Sequence, residues 1–544
     1  MRNHGVTLHL PLKAERHAVP DVPVIYFVDP TEENITRIVA DYKAGLYSYI
    51  HINFSSSINP RLLEKLATEI ARASPNPTTQ IARVIDRYCS FVSLEQTLYS
   101  LNQPSTYLNL HRAGISDSEI KSSTSNISSG LLSLILTCVK QVPVIRAPQN
   151  DAAGMVAQNL HERLMELFNS PSGPDLFSST IPVSADPTHA QRPLLVILDR
   201  DMDLSAMVSH AWSYAGLMGD LLGMTLNKVS IPKENKHYDI DPADPFWKKI
   251  GHLPFPDAAT AVNDKVNEFS RMRGEFTEAE GSLHSAMSAL PQITEMKKSV
   301  DMHTTIATTL LNIIKSREID RYYEIENDLN LNSLTAMLAE EVQNPDAAMD
   351  KIRTALLVLL KKDNVPAQKI DQIISQLSPL DEAAGALKYI KYLLGLRSMS
   401  APQLVAQNSN LGAPALPGML GGLAEKVKSR GEGLLAAGMK NLKNILPVNE
   451  NLVLTNTVQQ LADQVTNPLT ESFAYYDPKT SNSNVRVRGS FRQIIVCVVG
   501  GGSLVEFENF SAWAAKTGRT GVYGATDLPA PANFVRDLSK LASK

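Results

Sequence analysis

The chain has 544 residues, of which 43% are hydrophobic and 20% are charged, and its formal net charge is −4 at pH 7. This length exceeds what one hydrophobic core organises, so a single domain is excluded and several are expected. The small net charge argues against nucleic acid as a partner, and three widely separated cysteines argue against a disulfide framework or a cysteine metal site.

No segment has the pattern of a membrane span or a secretion signal. The longest strongly apolar stretch, residues 131–139, is about half as long as a membrane-spanning helix. The first ten residues lack both an uninterrupted apolar run and a cleavage site of small residues. We therefore expect a cytoplasmic protein, for which contact with a membrane surface stays open.

The first 100 residues alternate strand and helix patterns. Residues 22–28 and 47–54 are predicted strands because they are apolar and rich in β-branched and aromatic residues. Thr31, which is followed by two glutamates, is a predicted helix N-cap. A second helix is predicted over residues 59–70, and residues 81–85 are interpreted as part of a further helical segment.

These two helical segments could form a groove for one aromatic anchor of a peptide, with an acidic group for a basic residue beside it. Its candidate residues are Leu63, Leu66, Ala67, Ile81, Val84 and Asp86. The alternative is that these side chains simply pack on one another.

Further along, a helix over residues 131–139, a short strand at 142–145 and a helix over 155–168 lead to a buried strand at 194–198. The strand ends in a charged corner, Asp199, Arg200, Asp201 and Asp203, before a single predicted helix through residue 222. Three carboxylates could hold a divalent cation. We favour an ion-paired corner that caps the next helix, because Arg200 lies inside the group.

Residues 258–396 are predicted to be helical. Pro291 lies within this pattern and, because proline removes a helical hydrogen bond, it marks a helix start or a hinge of a hairpin. A hairpin that does not move is the alternative. Residues 397–417 are a predicted mobile linker, and 418–446 form a glycine-containing amphipathic stretch that suits an interfacial helix or an ordinary peripheral one.

A strand over residues 493–499 runs into Gly500, Gly501 and Gly502. Such a loop could approach a phosphate, so a nucleotide-dependent enzyme that uses it with the Asp199 group is the rival function. The chain has no GK[ST] lysine motif, and Val505 replaces the third glycine of a dinucleotide fingerprint. Tight packing of the turn is the favoured interpretation. No other catalytic motif is complete, so we expect a binding protein that is not an enzyme.

Five long stretches carry a family resemblance. They are VPVIYFVDPTEENITRI (22–38), QRPLLVILDRDMDLSAMVSHAWSYAGLMGDLL (191–222), DPFWKKIGHLPFPD (244–257), LPQITEMKKSVDMHT (290–304) and IIVCVVGGGSLVEF (494–507). Together they resemble the SM (Sec/Munc-type) family of SNARE-binding proteins, and most of all its SLY branch, which acts between endoplasmic reticulum and Golgi. The resemblance runs from about residue 5 to the end of the chain.

The resemblance implies an α/β fold plus an all-α insertion, arranged as a three-domain arch. Parallel α/β sheets would form domain 1 (residues 1–100) and domain 2 (101–228 plus 470–544). A mainly helical domain 3 (229–469) would carry a hairpin at about 258–318 and a mobile segment at about 397–446. Members of the family begin upstream of the segment that aligns here with residues 4–10. Domain 1 is therefore expected to lack its first strand and helices, which would expose a sheet face.

The resemblance also implies two binding sites. The peptide groove corresponds to the pocket for the N-terminal peptide of a syntaxin-type (Qa) SNARE. The hairpin corresponds to a template for SNARE helices, with its candidate residues at Pro291, Met296, Val300 and Met302. The implied partners are a Qa SNARE and the assembled SNARE bundle, with an R-SNARE, a Rab or a tethering factor as further candidates. The family implies no cofactor, no metal, and peripheral association with endoplasmic reticulum and Golgi membranes.

Overall fold

The computed structural model of the protein describes residues 5–73, 80–171, 176–177, 192–231, 235–278, 283–341, 345–362, 365–377, 381–400, 450–480 and 489–542. Two sheets that contain parallel strands, together with a large helical region, make up this part of the chain. The mixed architecture agrees with the predicted α/β fold that carries an all-α insertion.

The first region is a three-stranded parallel sheet with two helices. Its elements are β1 (Val24–Val28), α1 (Glu32–Lys43), β2 (Ile50–Phe54), α2 (Pro60–Ala73) and β3 (Ile81–Asp86), and the strand order is β1-β2-β3. As predicted, Thr31 caps α1, because its hydroxyl accepts a hydrogen bond from the backbone N–H of Asn34. The two helices cover one sheet face, where Tyr26, Ile52 and Leu66 are buried together.

The opposite face of this sheet carries exposed apolar side chains. Ile25 and Phe27 alternate with buried Tyr26 along β1, and each of the two is 64% exposed. Parallel sheets are generally covered on both faces. In the described part of the chain, this face is open at these two residues.

The second region begins with short strands and continues to the charged corner. Its elements are β4 (Val92–Glu95), β5 (Leu98–Ser100), α3 (Thr106–His111), α4 (Asp117–Leu134), β6 (Val144–Pro148), α5 (Ala152–Asn169), β7 (Leu194–Asp199), α6 (Ser205–Val208) and α7 (Tyr214–Leu221). A π-helical turn extends α4, and a 3₁₀ turn follows β7. The single helix predicted through residue 222 is wrong. Ser213 caps a separate helix α7 by accepting a hydrogen bond from the backbone N–H of Gly216.

The inserted region is helical after one small hairpin. Its elements are β8 (Lys228–Ile231), β9 (Lys236–Asp239), α8 (Pro245–Ile250), α9 (Phe255–Glu278), α10 (Leu283–Arg317), α11 (Ile319–Asp328), α12 (Leu331–Leu338), α13 (Pro345–Lys361), α14 (Ala367–Leu377) and α15 (Asp381–Ser400). Residues 397–400, the start of the predicted linker, belong to α15. The rest of the segment 397–446 lies outside the described residues.

The chain then returns to the second sheet. The remaining elements are α16 (Val453–Ala462), α17 (Pro468–Glu471), β10 (Phe473–Tyr476), β11 (Gln493–Val499), α18 (Leu504–Lys516), β12 (Thr520–Ala525) and α19 (Pro531–Leu541). The strand order is β10-β6-β7-β11-β12-β5-β4, with antiparallel pairing only at its two edges. Thus β11 pairs with β7 although the helical region lies between them in the sequence.

Three boundaries differ from the predicted ones. Strands β4 and β5 belong to the second sheet, so the first region ends before Val92 and not at residue 100. Helix α16 packs Leu454 and Val458 against the second sheet, so the return precedes residue 470. Helix α19 packs Phe534 in the helical core. Strands of three or four residues carry almost no periodic signal, which is why their sheet was misassigned.

Candidate functional site

The predicted peptide groove lies between a helix and a strand, and not between two helices. Residues 81–85 belong to β3, and their β-branched residues were the available signal for a strand. The register shifts at Ala82, where Ile81 opposes Ile50 and Arg83 opposes His51. Because of this β-bulge, Ile81, Val84 and Asp86 lie on the same face of the sheet, although Ile81 and Val84 are three residues apart and not two.

The face in question is the one that α2 covers. Val84 lies in the same cross-strand row as Tyr26 and Ile52, both of which are buried under the helices. Because β3 is an edge strand in the described sheet, Val84 is covered less and remains 40% exposed. Leu63, in the first turns of α2, is 41% exposed. Leu63 on α2 and Val84 on β3 are thus the accessible large apolar side chains of the candidate groove, and we refer to these two as the apolar strip.

The other candidate residues take different roles. Leu66 is 2% exposed and belongs to the core of the first region, so a ligand cannot reach it directly. Ile81 is partly buried against the same core, whereas Ala67 is exposed on α2. The sequence pattern therefore did not separate the accessible candidate residues from the buried one, Leu66.

Asp86 supplies a carboxylate at the end of β3. Its Oδ2 accepts a hydrogen bond from the backbone N–H of Ile58 over 3.4 Å. Burial raises the pKa of Asp86 above its usual value, and the hydrogen bonds from Ile58 and Ser57 offset only part of that rise. The loop before α2, which the sequence reasoning did not consider, thus holds this carboxylate in position beside the apolar strip.

The second candidate site is the hairpin of α9 and α10. Helix α10 is continuous from Leu283 to Arg317, so residue 291 is not a helix start, and the Pro291 side chain lies outside the described ones. Val300 is 6% exposed, Met302 packs partly buried against the helical core, and Met296 is half-buried. Of the template residues, Met296 is therefore more accessible than Val300. A hinge at residue 291 remains a prediction.

His303 anchors α10 to the core. Its side chain is fully buried, its Nδ1 lies 3.1 Å from the hydroxyl of Tyr214, and its ring stacks on Trp247. Burial lowers the pKa of His303 to about 4, and the charge of Asp244 opposes that effect. The imidazole is neutral at pH 7 in the folded chain.

This neutral histidine makes the stability of the hairpin sensitive to acid. The folded pKa lies below the unfolded value of roughly 6.5, so below that pH the unfolded chain binds a proton that the folded chain rejects. We expect the contribution of His303 to be complete above pH 6.5 and lost as the pH falls toward 4. Melting temperatures of the wild type and His303→Asn, compared from pH 7.5 to 4.5, would converge; parallel curves would contradict the assignment.

In the charged corner after β7, Arg200 and Asp203 form hydrogen bonds with other residues of the protein. Arg200 is fully buried, and its guanidinium donates to both carboxylate oxygens of Glu506 over 2.8 Å each. Tyr523 also donates to Glu506. Asp203 accepts hydrogen bonds from the backbone and hydroxyl of Ser205 at the start of α6. The predicted ion pair exists, but its acid comes from α18 and not from the neighbouring aspartates.

His111 joins Asp199 and Asp201 of this corner in a group of donor types that can bind a cation. Ligand atoms of His111, Asp199 and Asp201 lie within 4.8 Å of one another. Each already has a protein partner: His111 Nε2 is 3.1 Å from an Asp201 oxygen, and Asp199 accepts a hydrogen bond from the Asp201 backbone. Hydrogen bonding therefore accounts for their arrangement.

The glycine loop packs tightly against its surroundings. Gly500 and Gly501 have φ values of +102° and +110°, which favour glycine. A Cβ on Gly500 would lie 2.8 Å from the Cβ of Arg200. The backbone N–H of Gly500 donates to the Thr526 hydroxyl and that of Gly502 to the Asp527 carbonyl. These two donors are occupied, which favours the packing interpretation over a phosphate site.

Among the helices in the described ranges, none combines the length and the apolar character that crossing a membrane requires.

The similarity to known proteins covers the whole chain. A family model described as "Sec1 family" matches residues 1–537. The chain is 32% identical over 575 residues to "SEC1 family transport protein SLY1" of Arabidopsis thaliana, covering 100% of this chain and 89% of that protein. It is 30% identical over 592 residues to "Protein SLY1" of Saccharomyces cerevisiae, covering 99% and 87% of the two chains.

Solved structures are similar over the same extent. The structure of Sly1p in complex with an N-terminal peptide of Sed5p covers 98% of this chain and 86% of its own, with 29% identity and a TM-score of 0.79. The structure of Vps45 in complex with the Qa SNARE Tlg2 has a TM-score of 0.73 over 99% of this chain and 90% of its own. Its identity is 17%, so this second match shows the fold alone.

Proposed function

Since the chain belongs to the Sec1 family, we propose that it is a SNARE-binding protein that promotes SNARE complex assembly and membrane fusion. Its partners are a syntaxin-type (Qa) SNARE and the assembled SNARE bundle. The transport step is the one between endoplasmic reticulum and Golgi, where the chain associates peripherally with membranes. The similarity to SLY1 proteins over nearly the full length supports this step.

The observation that carries the proposal is the accessible strip between α2 and β3. An N-terminal SNARE peptide would place an apolar side chain against Leu63 and Val84, the two exposed large apolar residues of the strip. A basic group of the peptide would pair with Asp86. The full-length similarity to Sly1p, whose structure contains a Sed5p N-terminal peptide, supports a peptide as the ligand.

The hairpin of α9 and α10 provides the second contact. It holds a helix of 35 residues whose C-terminal half is fixed in the core by His303 and its neighbours. A helix held at one end in this way suits the binding of another helix along its accessible part. We propose that SNARE helices bind there, near Met296, and that the chain acts by binding and not by catalysis.

Calorimetry with synthetic peptides tests this function. The chain is titrated with the N-terminal peptides of a panel of Qa SNAREs, with scrambled peptides of the same composition as controls. Saturable binding of at least one native peptide and of no scrambled one is the expected result. Equal heats from both sets would refute the proposal.

The rival enzymatic function has its own simple test. Equilibrium binding of ATP and GTP with Mg²⁺ would detect a site at the glycine loop. We expect no saturable binding, because the N–H groups of Gly500 and Gly502 already have acceptors. Binding in the micromolar range that Gly501→Val abolishes would favour the rival function.

A further inference from the structure

A buried cluster of charged side chains joins the end of the hairpin to the second sheet region. It lies where the segment between α6 and α7 meets α10, α11 and α13. Its ionisable members are His210, Asp220, Arg317, Glu326, Asp350 and Arg353. All but Arg317 have side chains no more than 4% exposed, and that of Arg317 is 13% exposed. The proposed function uses none of them.

The central member is His210. Its Nδ1 lies 2.6 Å from Glu326 Oε1 and its Nε2 lies 3.2 Å from Asp350 Oδ1. Its backbone N–H also donates to Glu326 Oε2 over 2.9 Å. Ionised carboxylates only accept hydrogen bonds, so both ring nitrogens must donate, and only the imidazolium form has two N–H groups.

The charges of the cluster balance only in this form. Glu326, Asp350 and Asp220 supply three negative charges, and Arg353 and Arg317 supply two positive ones. Protonated His210 is the third. Burial and the neighbouring Arg353 lower the pKa of His210, but the carboxylates of Glu326 and Asp350 outweigh them and raise it to about 9. A neutral histidine would leave one buried carboxylate without compensation, which is costly.

Two arginines extend the cluster to the ends of helices. Arg353 of α13 donates to both oxygens of Asp220 over 2.7 Å and to the carbonyls of Val208 and Ser209. Arg317, the last residue of α10, donates to Asp350 over 2.8 and 2.6 Å. The next residue, Glu318, has a φ of +53°, so α10 and α11 meet at an abrupt turn. The cluster therefore fixes this turn against the second sheet region.

We propose that His210 is a positioning residue: as an imidazolium it holds the base of α10 in the orientation in which the hairpin binds a SNARE helix. This inference rests on the proposed function for its ligand, whereas the orientation of α10 can be measured without one. Ring packing adds to the fixation, since Tyr322 of α11 stacks on His210 with 5.5 Å between ring centroids.

A charge-balanced pair of variants separates positioning from simple packing. His210→Gln removes one positive charge and leaves three carboxylates against two arginines. Adding Glu326→Gln restores the balance, and the two amides can still form a hydrogen bond. His161→Gln, a half-buried histidine of α5 outside the cluster, is the matched control. Non-additive effects of neighbouring changes are the signature of a direct interaction.

The variants are compared by hydrogen exchange of the α10 amides and by binding of a fluorescent peptide from the SNARE-helix region of a Qa SNARE. We expect His210→Gln to accelerate α10 exchange and to weaken helix binding about tenfold, with N-terminal peptide affinity unchanged. The double variant should regain most of both losses. In the wild type alone, helix binding should also weaken as the pH rises through about 9. The pKa of His210 is higher in the folded chain than in the unfolded one, so the stabilisation from its protonated ring is complete below about 6.5 and is lost as the pH rises through the folded value.

The other possible outcomes also test the positioning role of His210. Unchanged α10 exchange in His210→Gln, or a double variant worse than the single one, would overturn the positioning role. A wild-type chain that binds neither peptide would refute the proposed function, and the exchange measurement would then decide the positioning of α10 by itself.

Discussion

Glu506→Gln is expected to lower the free energy of unfolding by about 3–5 kcal/mol, the usual cost of leaving a buried charge without its partner. Arg200 and Glu506 are both completely buried, and the two side chains share two hydrogen bonds of 2.8 Å. The substitution keeps the shape of the side chain but removes its charge. The guanidinium of Arg200 would remain in the core without the carboxylate that accepts hydrogen bonds from both of its terminal nitrogens.

The chain offers a matched exposed pair as a control. Arg321 donates to both carboxylate oxygens of Glu340 over 2.6 and 2.7 Å, but these side chains are 39% and 50% exposed. Glu340→Gln should therefore cost no more than about 1 kcal/mol. Urea denaturation followed by tryptophan fluorescence compares the two, since Trp513 lies on the same helix as Glu506. Equal midpoints for the two variants would contradict the argument from burial.

The Arg200–Glu506 pair marks the limit of what the sequence could predict at this corner. Charges at the end of a buried strand predicted an ion-paired corner, and such a corner exists. Its acidic partner is 306 positions away in the chain. No local pattern connects the two residues; β11 brings them together by pairing with β7 after the helical insertion.

Local patterns predicted the long elements and failed at irregular ones. The buried strand at residues 194–198 and the cap at Thr31 followed directly from composition and spacing. In β3, a bulge places Ile81 and Val84 on one face, and this spacing of three imitates a helix. The break between α6 and α7 depends on tertiary contacts: Phe255 donates its backbone N–H to Trp212, and Tyr214 donates to Leu253.

The candidate groove shows the same division. The sequence and the family resemblance predicted the residues of this groove, but burial decides which of them a ligand can reach. Leu63 and Leu66 are three residues apart on the same helix, yet Leu66 lies in the core and Leu63 is 41% exposed, because Leu62 takes the core-facing position one turn before Leu66. A substitution at Leu66 would test the stability of the fold, whereas one at Leu63 tests binding.

Leu63→Arg is accordingly expected to weaken the binding of a Qa SNARE N-terminal peptide by at least about tenfold, or ~1.4 kcal/mol, without unfolding the first region. The side chain is 41% exposed, so the arginine can reach water and leaves the core intact. It would place a positive charge where the peptide needs an apolar contact. Calorimetry measures the affinity, and the melting temperature should stay within about 1 °C of the wild type.

Thr68→Arg is the matched control, because it adds the same charge to the exposed surface of the same helix. Five residues along an α-helix correspond to a rotation of about 140°, so Thr68 faces away from the strip that contains Leu63 and Val84. A general electrostatic effect of one added charge would lower the peptide affinity of both variants equally. Loss of affinity in Leu63→Arg alone would assign the peptide to the groove between α2 and β3, and unchanged affinity there would remove that assignment.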